Sequence, residues 1–140
     1  MRHIVFDTST LVSAALRPDS TPGRALHNAL KNDRIYVCES SLDELYDVLN
    51  RKKFDHYLDL NYRLLFHETL SRYALHIPQR WVLIDAVDPP CRDRNDNLHL
   101  ALAWAAKAEL LISSDQDLLC LHPWRGIPVL TPASFLALHT

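Results

Sequence analysis

A chain of 140 residues, 48% of them hydrophobic and 23% charged, fits one globular domain that can bury a core without disulfides or a structural metal. Its formal net charge of −2 argues against nucleic-acid binding by bulk charge, since phosphate contacts are what Lys and Arg supply. No apolar stretch approaches the ~20 residues that cross a bilayer, and Cys38, Cys91 and Cys120 are too scattered for a disulfide framework or a C-x-x-C zinc site.

At the N-terminus the apolar run Ile4-Val5-Phe6 is cut short by Asp7, so residues 2–6 read as a buried strand rather than a signal-peptide core, and a cytoplasmic location is expected. Leu11–Leu16 reads as an apolar segment, a helical turn, ending before Pro18. Thr21-Pro22 predicts a helix near 22–31 with Thr21 as N-cap. Ile35–Cys38 reads as a second strand. Ser41-Leu42-Asp43-Glu44 then matches the S-x-x-E capping box, with Leu42, Leu45, Val48 and Leu49 on one helical face.

The stretch 51–78 is amphipathic and predicts one or two helices. Trp81–Ile84 reads as a short strand and Asp88–Asn95 as a loop. Asp96 opens an Ala- and Leu-rich helix of about 96–108, followed by a buried strand at Leu110–Ile112, a short one at Val129-Leu130, and a closing helix that starts at Thr131-Pro132. Such alternation predicts an α/β domain over 1–140, its mostly parallel sheet joined by right-handed crossovers with helices on both faces.

Several enzyme classes lack support. Two glycines, Gly23 and Gly126, cannot build a dinucleotide or Walker phosphate loop, the eight histidines never form H-E-x-x-H, and G-x-S-x-G is missing. What remains is a set of acids at element ends: Asp7 after the first strand, Glu44 near a helix start, Asp96 at another, Asp115 and Asp117 after Leu110–Ile112. Each has a structural explanation as a cap, a first-turn acid or a turn residue. Together, at the carboxyl edge of a parallel sheet, they would repel one another unless a hard cation lay between them. Asp7→Asn or Asp96→Asn is therefore expected to leave the fold intact or even relieve strain in the metal-free protein.

Four motifs carry a resemblance: Val5-Phe6-Asp7-Thr8-Ser9, Ser41-x-x-Glu44-Leu45, Cys91-Arg92-Asp93-x-x-Asp96-Asn97, and Ser113-Ser114-Asp115-x-Asp117-Leu118-Leu119. In register over nearly the whole chain, they resemble the PIN-domain family, and most closely its branch of VapC-like toxin components of toxin–antitoxin systems. The resemblance implies a three-layer PIN-like fold and a Mg²⁺- or Mn²⁺-dependent endoribonuclease. Asp7, Glu44, Asp96 and Asp115 fall on the family's catalytic and metal-holding acids. Asp93 and Asp117 fall on accessory acidic positions, and Thr8, Ser9, Asn97 and Ser113 on polar positions that orient carboxylates.

This chain departs from the pattern at Ser9, where relatives mostly have Asn, at Ser114 in place of a frequent Gly, and at Leu98-His99, where a Lys-Phe pair is usual. His99 falls within one helical turn of the proposed site, where the alternatives are a substrate contact or no role, and no role is expected. Arg51, Lys52 and Lys53 beyond Glu44, with Arg92 and Arg94 beside the third motif, are the expected RNA contacts. Neutralising four acids with divalent metal would turn the remaining charge positive. The implied substrate is single-stranded or loop RNA and the implied partner a small antitoxin, with no membrane involved. A homodimer is expected from Phe54, Tyr57, Tyr62, Leu65 and Phe66, more apolar side chains than one face needs. Two alternatives stand beside this reading: a catalytically weak PIN module that mainly binds RNA or protein, and a receiver-type phosphate-handling domain, which the lack of any Lys after Lys107 disfavours.

Overall fold

The structure, a computed structural model, describes residues 1–138; the last two residues of the expected domain lie outside them. Five strands, β1 (His3–Phe6), β2 (Arg34–Val37), β3 (Leu75–His76), β4 (Leu110–Ile112) and β5 (Val129–Leu130), form one sheet in the order β3-β2-β1-β4-β5. Every pairing is parallel, with Ile4 opposite both Ile35 and Leu110. Strand order reverses at β1, whose neighbours are β2 on one side and β4 on the other, and in open parallel sheets the crevice at such a reversal is where ligands bind.

Alternation along the strands separates two cores. Ile4, Phe6, Ile35, Val37, Leu110 and Ile112 face α1 (Thr8–Leu16), α2 (Thr21–Asn32), α3 (Glu39–Leu49), α4 (Leu60–Tyr73) and α7 (Pro132–Ala137). Val5, Leu111 and Val129 face α5 (Asn97–Ala105), Leu118 of α6 (Gln116–Leu119) and the buried Trp124. The three-layer arrangement agrees with the sequence expectation. Among the described residues no helix is long and apolar enough to cross a membrane.

Four local expectations are corrected. Trp81–Ile84 forms no strand: its ends belong to 3-10 turns at Gln79–Trp81 and Ile84–Ala86, with Trp81 and Leu83 exposed while Val82 and Ile84 pack on the core. The missing strand is β3, two exposed residues on the edge of the sheet that carry no apolar alternation to announce them. In α3 the capping box runs from Cys38 to Ser41, whose hydroxyl accepts the Cys38 N–H at 2.9 Å, so Glu44 stands a turn further in and caps nothing. α2 is capped by Ser20, which accepts from Gly23 N–H at 3.2 Å, rather than by Thr21. Gly23 is needed there because a Cβ would sit 2.2 Å from the Pro18 carbonyl oxygen.

Of the 51–78 stretch, one helix forms, and it holds the segment before it through Arg63. This fully buried guanidinium donates to the carbonyls of Leu58 (2.9 Å), Leu49 (2.6 Å) and Arg51 (3.0 Å) and pairs with Asp55. Arg63→Met keeps the aliphatic stem but removes every donor, and is expected to cost on the order of 3 kcal/mol, since each buried acceptor left unpaired costs about 1–3 kcal/mol. Chemical denaturation measures it; an unchanged midpoint would show that water replaces the guanidinium.

Candidate active site

Asp7 follows β1 directly, and its position comes from the sheet: its N–H continues the ladder to Ile112 O at 3.0 Å while its side chain caps α1, accepting Thr10 N–H at 2.9 Å. Ser9 Oγ lies 3.3 Å from both carboxylate oxygens, and Ser113, just past β4, donates to Oδ2. The same Ser113 hydroxyl accepts the Asp115 N–H at 2.9 Å, so one side chain links the ends of β1 and β4 across the reversal. Asp7 is only 2% exposed. Ser9 therefore bonds to the carboxylate, despite being shorter than the Asn usual at that position.

Asp115 caps α6 by accepting the Asp117 N–H at 2.9 Å. Asp93 caps the 3-10 turn Arg94–Asp96 through Asn95 N–H at 3.0 Å, and Asn97 fastens the preceding loop by accepting Cys91 N–H at 2.7 Å. These caps bring Asp96 to Asp115 and Asp117, each of the three offering a carboxylate oxygen within 4.8 Å of the others. Such a half-buried set of hard oxygen donors suits Mg²⁺ or Mn²⁺ by its chemistry.

Electrostatics bear the marks of crowding. Asp96 is pushed up to about 7, first by burial and then by the hydrogen bond and charge of Asp115. Burial, followed by the charges of Asp96, Asp117 and Asp115, pushes the Cys91 thiol up to about 11, so it stays protonated and donates to Asp117 O at 3.2 Å. Glu44 behaves differently: burial disfavours its charge, but hydrogen bonds from His99 and Thr8, with the charges of His99 and Arg51, more than offset that and lower its pKa.

A pocket of about 440 Å³ collects Asp7, Thr8, Ser9, Glu44, Asp93, Asp96 and Asp115, with Arg51 and Lys53 on its rim. Asp117 belongs to the acidic trio without lining the pocket, Ser113 holds Asp7 from outside the lining, and Asn97 holds the Cys91 loop. Lys52, Arg92 and Arg94 are exposed and do not line it. The residue that sequence reasoning passed over is His99. It lines the pocket and is 2% exposed, three residues after Asp96 and hence on the same helical face, a spacing that was the available signal.

Tyr57 (64% exposed), Tyr62 (63%) and Leu65 (55%) leave a patch on the outside of the middle segment, whereas Phe54 and Phe66 pack against the core.

No curated protein matches the chain significantly. Among solved structures the fold resembles VapBC2 from Rickettsia felis, solved bound to a DNA fragment from their promoter, with a TM-score of 0.59 at 18% identity over 92% of this chain and 98% of that one. Residues 3–117 match the family model described as PIN domain, a span that includes every acid gathered at the end of β1 and β4, and by that match the chain belongs to the PIN-domain family.

Proposed function

We propose that this protein is a Mg²⁺- or Mn²⁺-dependent endoribonuclease, the toxin of a toxin–antitoxin pair. The observation that carries the reading is the approach of Asp96, Asp115 and Asp117 to within 4.8 Å in a crevice that also receives Asp7 and Glu44. PIN domains resemble one another in using such acids for RNA cleavage, and the likeness to VapBC2 supports a partnered toxin.

Asp96, Asp115 and Asp117 would hold the cation, with Asp7 and Glu44 completing the acidic wall. Bound there, a divalent cation would lower the pKa of a water and offset charge on the attacked phosphate. Ser113, Ser9 and the Thr10 amide hold Asp7 in one rotamer, so its remaining lone pairs face a fixed direction. Arg51 and Lys53, which line the pocket, receive the phosphates that flank the scissile one, and the exposed Arg92, Arg94 and Lys52 are available for further phosphate contacts. No Ser, Cys or His is asked to act as nucleophile.

An in-line attack in a crevice requires a backbone that bends into it, so single-stranded or loop RNA is the expected substrate. The test is cleavage of a hairpin and of its perfect duplex with Mn²⁺ and with EDTA. Loop-selective cutting that EDTA abolishes supports the reading. Equal cutting of duplex overturns the substrate assignment, and no cutting under either condition favours a catalytically weak PIN module. An acidic crevice of this kind invites an Arg inserted by a small antitoxin, and Tyr57, Tyr62 and Leu65 offer an apolar surface for a homodimer in the cytoplasm. Growth arrest on expression, relieved by co-expression of the neighbouring gene, tests the partner, and light scattering tests the dimer.

A further inference from the structure

His99 occupies a junction of three helices. From α5 its Nε2 lies 3.5 Å from Glu44 Oε1 on α3 and 3.4 Å from Thr8 Oγ1 on α1. Its other ring nitrogen, Nδ1, is buried and has no hydrogen-bond partner among the described residues. A nitrogen that faces a carboxylate must carry a proton, so Nε2 is the donor, shared between Glu44 and the Thr8 oxygen.

Glu44 needs such a holder. It stands in the middle of α3 on a flexible side chain with no capping role, and it is not one of the three mutually close acids. A purely structural histidine in an apolar interior would cost a buried polar ring for no gain, and a phenylalanine would fill the same space. We propose that His99 is a positioning residue for the acidic pocket: its Nε2–H, directed at Glu44 and Thr8, fixes the Glu44 carboxylate at the wall of the pocket that Asp96 and Asp115 also line. This deepens the nuclease reading and rests on it for its consequence in catalysis. The pairing itself is a property of the free protein.

The test separates the two. Nitrogen NMR of the His99 ring in metal-free wild-type protein should show a protonated Nε2, and Glu44→Gln should shift that resonance, whether or not the protein cuts RNA. His99→Phe should lower kcat and Mn²⁺ affinity, the latter read by calorimetry, by roughly 10–100-fold, the loss typical of partners that orient a metal site. His99→Gln, which keeps a donor, should recover part of both, and adding His99→Phe to Glu44→Gln should cost nothing further. An unshifted ring resonance in Glu44→Gln, or wild-type Mn²⁺ affinity in a folded His99→Phe protein, would overturn the proposal. Loss of cleavage in no variant because wild type does not cut, with the NMR and calorimetric results as expected, would overturn only the nuclease reading and leave the positioning role supported.

Discussion

Asp96→Asn is expected to reduce RNA cleavage at least a hundredfold while raising the melting temperature of the metal-free protein at pH 8 by a few degrees. The activity loss exceeds the roughly 10–100-fold typical of orienting partners, because Asp96 would be a ligand itself. The stability gain follows from its environment. Burial, and after it the hydrogen bond and charge of Asp115, hold the Asp96 carboxyl at about 7, so at pH 8 the folded protein carries an anion where its surroundings disfavour one. An amide of the same shape removes that charge. Because Asp96 is only half buried, water screens part of the penalty, and the gain is modest. Thermal melts and cleavage assays on the same samples decide it. Full cleavage would exclude Asp96 from the catalytic set, and a lower melting temperature would mean that its contacts outweigh its repulsion.

Asp7 should behave in the opposite way, and here the structure corrects the expectation that its replacement, too, leaves the fold intact or relieves strain. Its carboxylate accepts from the Thr10 amide, Ser9 and Ser113. An amide offers one acceptor oxygen, so Asp7→Asn turns an NH₂ toward at least one of these donors and should cost about 1–3 kcal/mol. Asp7 is an N-cap whose charge is used by the fold, whereas the charge of Asp96 is tolerated by it.

That distinction was not legible in the sequence, although the set of acids was. Acids closing β1 and β4 stand out because buried strands seldom end on a charge, and the strand–helix alternation predicts a parallel sheet that brings such ends together. The strand order, which places β4 beside β1 and so puts Ser113 against Asp7, depends on long-range pairing that no local pattern encodes. Boundaries failed where two local signals competed. Ser41 and Glu44 spell a capping box, yet the box belongs to Cys38 and Ser41, because Glu39 already has room to begin the helix beyond β2. Trp81–Ile84 is rich in strand formers but has no neighbouring strand to pair with, and β-propensity is mainly a measure of fitting a sheet surface. His99 was visible as a departure from the family pattern; its partner was not, since Glu44 lies on another helix 55 positions away and only the fold brings them within 3.5 Å.

Removing divalent metal is expected to invert how stability depends on pH. In the metal-free protein Asp96 ionises at about 7 when folded and near 4 when unfolded, so between those values the folded state holds the extra proton and stability falls as pH rises. His99 acts in the same direction. Burial disfavours its charge, but the Glu44 hydrogen bond and the charges of Asp7, Glu44 and Asp96 raise its pKa, and its contribution, present in full below 6.5, is lost as pH climbs through the raised value. Glu44 acts in the opposite direction: its lowered pKa contributes stability above 4.5 that is lost as pH falls through the folded value. The metal-free melting temperature should therefore be highest near pH 4.5 and decline toward pH 8. Bound Mn²⁺ requires ionised acids, so its stabilisation grows over the same interval, reaching about 2.7 kcal/mol at a hundred times Kd. Melting curves from pH 5 to 8.5 in EDTA and in Mn²⁺ should diverge steadily as pH rises, and Asp96→Asn should flatten the EDTA curve and close much of the gap. Coincident curves at pH 8 would mean that the acids gather without binding a cation, and the metal-dependent chemistry proposed for this PIN domain would lose its basis.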